Sequence, residues 1–138
     1  MYTTRQRPIV VLDTNMLLLM ADGVPVLDNI REQLETEPLF VVIKPVYDEL
    51  IKLLMEGESK VRKKAKFALE IVNTFCTIVD YPRREGESVD DAIIRYAQEN
   101  KAIVATSDRE LRRKLKAHGI PSAYLREESM RVIVEYYF

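Results

Sequence analysis

The sequence holds few of the residues on which disulfide-stabilised and zinc-binding domains depend. It has one cysteine, Cys76, and one histidine, His118, so neither an intramolecular disulfide nor a cysteine and histidine zinc cluster can form. Cys76 lies within an apolar run, where a small buried hydrophobic residue is the expected role. His118 precedes Gly119 and is expected at a helix end. Neither residue is a candidate for the chemistry of the protein.

Long apolar segments are missing as well. No apolar run approaches the roughly 20 residues that a membrane-spanning helix needs. Residues Met1 to Arg7 contain no apolar core of a signal peptide. We therefore expect no membrane partner, and together with the single cysteine this favours a cytoplasmic location.

What the sequence does contain is typical of a folded domain with a full core. Its 138 residues are 47% hydrophobic and 31% charged, with only four glycines and six prolines. This length predicts a single domain, residues 1–138, and the composition argues against disorder. The net charge of −1 conceals patches of both signs and says little about partners. A charge-rich, glycine-poor composition is also typical of thermophiles, archaea among them.

Apolar runs of strand length alternate with helical patterns along the chain. The runs 9–12, 39–43, 76–79, 102–105 and 120–125 are predicted strands, and 130–138 is a predicted edge strand. Helical spacing predicts helices at 16–20, 24–35, 45–56, 59–75, 89–99 and 109–117. Such alternation predicts an α/β fold, a three-layer α/β/α sandwich around a central, mainly parallel sheet of about five strands.

Two of the predicted strands run directly into polar residues. These are Asp13, Thr14 and Asn15 after the first strand, and Thr106, Ser107 and Asp108 after the fourth. Because the carboxyl ends of parallel strands lie at the edge of the sheet where ligands bind, Asp13 and Asp108 are candidate site residues. The simpler alternative for Asp13 is that it only caps the helix that follows.

Two helices begin near the same edge with further acids. Glu49 lies beside Val46 and Leu53 at the inner margin of an apolar stripe, a position that solvation alone does not explain. Asp90 heads the stripe that packs on the sheet, whereas Asp91 lies about 100° around the helix and nearer to solvent. Acids in a first helical turn also complement the helix dipole, which accounts for Asp91 better than for Asp90.

The topology brings these acids to one crevice, in which no Lys or Arg is expected. Clustered carboxylates repel one another, so a fold keeps them mainly where a cation is bound. Oxygen ligands select Mg²⁺ or Mn²⁺, and two such ions could activate a water and stabilise the leaving oxygen in phosphodiester hydrolysis. Residues that would orient ligands and waters are Thr14, Asn15, Thr106 and Ser107.

With these motifs in place, the chain resembles the PIN-domain family, whose nuclease fold is related to that of the flap endonucleases. The matching motifs cover nearly the whole chain and are Val11-Leu12-Asp13-Thr14-Asn15, Glu49-Leu50, Ser88-Val89-Asp90-Asp91-Ala92-Ile93-Ile94 and Val104-Ala105-Thr106-Ser107-Asp108. The resemblance implies a sheet ordered 3-2-1-4-5 and single-stranded or structured RNA as the substrate. It implies metal ligation by Asp13, Glu49, Asp90 or Asp91, and Asp108.

Within this family the sequence leaves several roles open. One set of residues is similar to the branch that processes ribosomal RNA, which implies a ribosome-assembly partner. The set comprises Asp108 to Arg113, Gly119-Ile120-Pro121 and Tyr124-Leu125. The compact size equally suits VapC toxins of VapBC toxin–antitoxin systems, which an antitoxin holds inactive. A PIN domain that binds RNA without cleaving it is the non-enzymatic alternative.

Contacts with RNA are expected to be mainly electrostatic and therefore to weaken as salt rises. The candidate residues are Arg83, Arg84, Arg109, Arg112 and Arg113. Aromatic residues are scarce near the motifs, which argues against strong base stacking. The apolar residues 132–138 would form an exposed edge unless the fold or a partner chain covers them, so we expect a homodimer.

Two other classes of protein place an acid after their first strand, and the sequence excludes both. Phosphatases of the haloacid dehalogenase type need a second acid two residues later, where this chain has Asn15. Response-receiver domains need paired acids in the first loop, which this chain lacks.

Overall fold

The strands and helices follow one another in the predicted order. The computed structural model describes residues 7–135, so the N-terminal residues 1–6 and the last three residues of the predicted edge strand lie outside it. The strands are β1 (Ile9–Leu12), β2 (Leu39–Ile43), β3 (Thr77–Val79), β4 (Ile103–Ala105), β5 (Ser122–Arg126) and β6 (Arg131–Glu135). The helices are α1 (Thr14–Ala21), α2 (Val26–Leu34), α3 (Lys44–Glu56), α4 (Ser59–Phe75), α5 (Val89–Asn100) and α6 (Arg109–Ala117).

The strands form one sheet in the order β3-β2-β1-β4-β5-β6. The first five strands pair in parallel, and β6 is antiparallel to β5. The predicted order 3-2-1-4-5 and the mainly parallel sheet are thus confirmed. The sixth strand is the edge strand that the alternating pattern near the C-terminus had predicted, and the structure shows that it is antiparallel.

Strand β1 lies at the centre of the sheet, and its position determines where the site forms. Val11 is paired with Val41 of β2 on one side and with Val104 of β4 on the other, and all three are fully buried. Burial on both faces explains the continuous apolar runs of these strands. Because the strand that follows β1 lies on one side of the β1–β4 pair and the strand that follows β4 lies on the other, a crevice opens at the carboxyl ends of β1 and β4.

The outer edge of β6 is covered by helix α2. The Asn29 side chain accepts a hydrogen bond from the Val132 amide at 2.9 Å. The Gln33 side chain accepts one from the Val134 amide at 2.8 Å and donates one to the Val132 carbonyl at 2.6 Å. Two side-chain amides thus take the place of a neighbouring strand. The fold itself covers this part of the edge, so the edge alone no longer argues for a second chain.

His118 occupies the helix end expected of it, whereas Cys76 is the C-cap of α4 and not the first residue of the third strand. Cys76 is partly buried, and burial raises the pKa of its thiol to about 12, so the thiol stays protonated. His118 is the C-cap of α6, and its Nδ1 donates to the Lys114 carbonyl at 2.8 Å.

As for membranes, none of the helices in residues 7–135 combines the length and apolarity of a bilayer span.

Replacement of Asn29 by alanine tests the role of α2 at this edge. The change leaves the amide of fully buried Val132 without its acceptor, so we expect the free energy of unfolding to fall by about 1–3 kcal/mol. Glu32→Ala is the matched control, because Glu32 lies on the same helix in an exposed ion pair with Arg131 and should cost within about 0.5 kcal/mol. Urea denaturation measures both, and equal losses would contradict the assignment.

Candidate active site

The ends of β1 and β4 bring Asp13 and Asp108 to the same place. Leu12 is paired with Ala105, and the Asp13 amide continues the ladder by donating to the Ala105 carbonyl at 3.2 Å. Each acid follows its strand and caps the helix that comes next, α1 for Asp13 and α6 for Asp108. The capping alternative for Asp13 is therefore correct, and it does not remove Asp13 from the crevice.

A cavity of about 170 Å³ opens between these strand ends and the starts of α3 and α5. We call it the acid cavity, and its lining residues are Asp13, Thr14, Asn15, Val46, Glu49, Val89, Asp90, Ile93 and Asp108. All four predicted acids line it, and this lining includes no Lys or Arg. The predicted carboxylates therefore lie around one cavity, and the charge of Lys114, outside the lining, acts on Asp90 by lowering its pKa.

Asp13 is the most buried of the four acids, with 5% of its surface exposed. Its Oδ1 accepts from the Met16 amide at 2.8 Å, and its Oδ2 accepts from the Thr106 hydroxyl. Burial raises the pKa of Asp13 to about 6, against the lowering effect of these two hydrogen bonds. The charges of Asp90 and Asp108 raise this pKa further. Burial and the charges of its neighbours therefore both disfavour the ionised form of Asp13.

Thr106 connects the two acids at the strand ends. It is fully buried, and its hydroxyl donates to Asp13 while accepting from the Asp108 amide at 3.0 Å. Asp108 in turn uses Oδ1 to accept from the amides of Glu110 and Leu111 at 2.8 and 3.3 Å. These hydrogen bonds fix the turn between β4 and α6, and with it the position of the Asp108 carboxylate.

Glu49 reaches the acid cavity from α3, which starts directly after β2. The Thr14 hydroxyl donates to its Oε1 at 2.5 Å, so α1 holds the carboxylate in place. Glu49 is exposed, whereas its spacing had predicted the inner margin of the helix. Glu49 lines the acid cavity from α3 while remaining open to solvent, and Thr14 of α1 contacts its carboxylate.

The structure separates the adjacent acids Asp90 and Asp91 on α5. Asp90 is half-buried and lines the acid cavity, and burial is the main cause that raises its pKa, followed by the charge of Asp108. Asp91 is exposed, pairs with Lys114 at 3.5 Å and is not part of the lining. Helical spacing had indicated the same difference between the two residues.

The donor set of the acid cavity fits a hard divalent cation. It offers carboxylate, hydroxyl and amide oxygens, and burial with mutual repulsion already raises the pKa of Asp13 and Asp90. Across residues 7–135 no three acidic, histidine or cysteine side chains form a ready-made metal cage.

The remaining predicted residues lie around the acid cavity. Asn15 and Thr14 line it, Thr106 lies buried beneath it, and Ser107 lines a neighbouring cavity instead. The apolar wall formed by Val46, Val89 and Ile93 was not singled out from the sequence, although Val46 and Ile93 lie on the same apolar stripes as Glu49 and Asp90.

The five predicted RNA-contacting arginines do not share one surface. Arg83 and Arg84 line a groove of about 960 Å³ between α3 and the loop 80–89, which shares Glu49 and Val89 with the acid cavity. Arg109 and Arg112 line a cavity on the β5 side. Arg113 has a 76% exposed side chain that pairs with Glu110 at 3.3 Å.

Comparison with known proteins gives a consistent result. A family model described as "PIN like domain" matches residues 10–128. Ribonuclease VapC9 of Archaeoglobus fulgidus is 35% identical over 126 residues, which cover 91% of this chain and 87% of the relative. Ribonuclease VapC4 of Methanocaldococcus jannaschii is 33% identical over 123 residues, which cover 86% of this chain and 91% of the relative. The solved structure of the PIN domain endonuclease Utp24 is similar with a TM-score of 0.74 at 22% identity, covering 93% of this chain and 91% of that chain, which shows a shared fold.

The raised pKa of Asp13 predicts an unusual pH dependence of stability in metal-free protein. Since its pKa is about 6 in the folded state and 3.8 unfolded, the folded state binds more protons between these values. The free energy of unfolding therefore falls as pH rises from about 4 to about 6, and Asp13 accounts for a loss of up to about 3 kcal/mol. Asp13→Asn keeps a capping oxygen and removes the charge. We expect this variant to be more stable than wild type at neutral pH.

Denaturation in a chelating buffer at about pH 4.5 and about pH 7.5 measures the effect. The stability advantage of Asp13→Asn over wild type should be larger at the higher pH. An advantage that does not change with pH would show that the Asp13 carboxylate carries no such cost.

Proposed function

The chain belongs to the PIN-like domain family, and from that premise we propose that it is a metal-dependent endoribonuclease that hydrolyses RNA phosphodiester bonds. The observation that carries the proposal is the acid cavity, in which four carboxylates meet without a basic side chain. Two relatives that match most of the chain at 35% and 33% identity are named ribonucleases, which supports RNA as the substrate.

In this proposal Asp13, Glu49, Asp90 and Asp108 hold Mg²⁺ or Mn²⁺ and are the catalytic residues. When bound, the metal would activate a water molecule and stabilise the leaving oxygen. Thr106 fixes the position of the Asp13 carboxylate relative to the backbone of Asp108, because its hydroxyl is hydrogen-bonded to both. Thr14 holds Glu49, and Asn15 offers an amide to ligands or waters at the cavity wall.

Asp90 is proposed as the ligand in place of Asp91. It faces the other acids, and their charges act on its pKa. Asp91 has a structural role in this proposal, because its ion pair with Lys114 joins α5 to α6.

The biological role that we propose is of the VapC type, with an antitoxin as partner, because both ribonuclease relatives carry that name. Ribosomal RNA processing is the alternative; the likeness to Utp24 concerns the fold alone and does not favour it. The presence of an antitoxin gene next to this one would distinguish the two roles. A ribosome-assembly partner, a homodimer and a cytoplasmic location remain predictions.

Cleavage of a labelled, structured RNA tests the enzyme directly. Wild type should cut the RNA with Mn²⁺ or Mg²⁺ and not with EDTA. Asp13→Asn and Asp90→Asn should each lose more than about 100-fold in rate, since they remove metal ligands and not merely their outer partners. Asp91→Asn is the matched control and should stay within about tenfold of wild type.

Metal-independent cutting, or full activity of Asp13→Asn, would refute the enzyme proposed here. Binding of RNA by wild type without any cutting would favour the non-catalytic alternative.

Thr106 provides a separate test, because it acts by positioning two of the proposed ligands. Thr106→Val keeps the shape and removes the hydroxyl, and we expect a loss of about 10- to 100-fold in metal affinity or activity. The metal concentration for half-maximal rate is the measurement. Thr106→Ser restores the hydroxyl and should recover most of the loss, whereas equal behaviour of the two variants would contradict a positioning role.

A further inference from the structure

A second cavity, of about 350 Å³, lies at the ends of β4 and β5 beside the start of α6. We call it the arginine cavity, because Arg109, Arg112 and Arg126 line it together with Ser107 and Tyr124. Ser107 and Arg109 are the residues on either side of Asp108, which lines the acid cavity. The two cavities are therefore separated by a single turn of the backbone, the one that Thr106 fixes.

Arg112 is held in one orientation within the arginine cavity. Its guanidinium carbon lies 3.6 Å from the centroid of the Tyr124 ring, so the planar group stacks on the aromatic face. Its only ion pair in the described chain is a long one, 3.4 Å from Nη2 to Glu135 Oε2. Its Nε is buried without a hydrogen-bond partner, the one such side-chain atom in residues 7–135. Arg112 is thus pre-organised by stacking while its hydrogen-bonding capacity is only partly used.

The other two arginines of this cavity are exposed and unpaired. Within residues 7–135 the side chains of Arg109 and Arg126 make no hydrogen bond or ion pair. Glu127 and Glu128 also line the cavity, so three cationic side chains meet two acidic ones. Because Arg112 is also paired with Glu135, the cations of this lining that remain unpaired within the described chain are Arg109 and Arg126.

The groove on the opposite side of the acid cavity has the reverse balance. Its basic residues Lys44, Lys52, Arg83 and Arg84 face the acids Asp48, Glu49, Asp80, Glu85 and Glu87. Lys44 is already paired with Asp48 at 2.7 Å. Glu87 is bound by Arg95 at 2.9 Å, and this guanidinium lowers the pKa of Glu87 to about 2. With Glu87 neutralised by Arg95, four cations of this groove still face four other acids, so the groove has no excess of positive charge for an anion.

We propose that the arginine cavity binds a phosphodiester group of the RNA strand, next to the phosphate that enters the acid cavity. The proposal rests on the proposed function and extends it, because it assigns the direction in which the strand leaves the catalytic centre. Planar guanidinium groups match phosphate oxygens in a two-point geometry, so Arg112 would donate to a phosphate through its Nη groups, since its Nε is buried. Such a contact reads the backbone and not the base, so it acts on RNA of any sequence.

Binding of a fluorescein-labelled single-stranded RNA tests the inference without any need for cleavage. The protein carries Asp13→Asn, and EDTA is present, so the RNA stays intact. In this background Arg126→Gln and Arg112→Gln should each raise the Kd by about tenfold. Each should also make the negative slope of log K against log salt concentration shallower by about one, the amount that the loss of one phosphate contact produces. Arg126 is the safer variant for folding, because it is exposed and unpaired, whereas Arg112 packs on Tyr124.

Arg62→Gln is the matched control, since Arg62 is an exposed arginine on α4 and lies in neither cavity. It should leave the Kd and the salt slope close to those of the background protein. If Arg112→Gln and Arg126→Gln bind RNA as tightly as Arg62→Gln, the arginine cavity does not hold the strand. Failure of the proposed function would show differently, as RNA binding that depends on these arginines without metal-dependent cutting by wild type.

Discussion

The arrangement of the site depends on one constraint, which is the burial of the Asp13 carboxylate where β1, β4 and α1 meet. A carboxylate that is only 5% exposed needs hydrogen bonds or a cation. The Met16 amide and the Thr106 hydroxyl donate these hydrogen bonds to Asp13. The same hydroxyl accepts from the Asp108 amide, so satisfying one acid also fixes the turn that carries the other. The positions of the Asp13 carboxylate and of the turn that carries Asp108 are thus maintained by the same hydroxyl.

Charge is distributed unevenly along the carboxyl edge of the sheet. The centre of the edge is acidic, while the cations on the β2 and β3 side are offset by a larger number of acids. On the β5 side, Arg109 and Arg126 remain unpaired within the described chain. A net charge of −1 for the whole sequence conceals this polarity, because opposite charges cancel in the sum but not along the edge.

The strand order and the convergence of the acids follow from local patterns in the sequence. An apolar run that ends in an acid predicts both a buried strand and a residue at its carboxyl end, which is why Asp13 and Asp108 were identifiable. Exposure depends on distant elements, so the outward position of Glu49 was not predicted correctly. Arg112 and Arg113 are adjacent in one basic run, yet one stacks on Tyr124 and the other is solvent-exposed. A run of like charges does not specify which members pack against the rest of the protein.

The amides of Asn29 and Gln33 engage the backbone of β6 across 99 to 103 residues of sequence, a contact that no local pattern predicts. A strand edge whose amides and carbonyls are already engaged cannot act as a template for another strand. Neither β-augmentation by a peptide nor edge-to-edge aggregation can therefore begin at Val132 to Val134. The opposite edge, β3, has only three residues to offer. Within residues 7–135 the sheet therefore offers a partner little free backbone, so recognition of this part of the chain depends on side chains and surface shape.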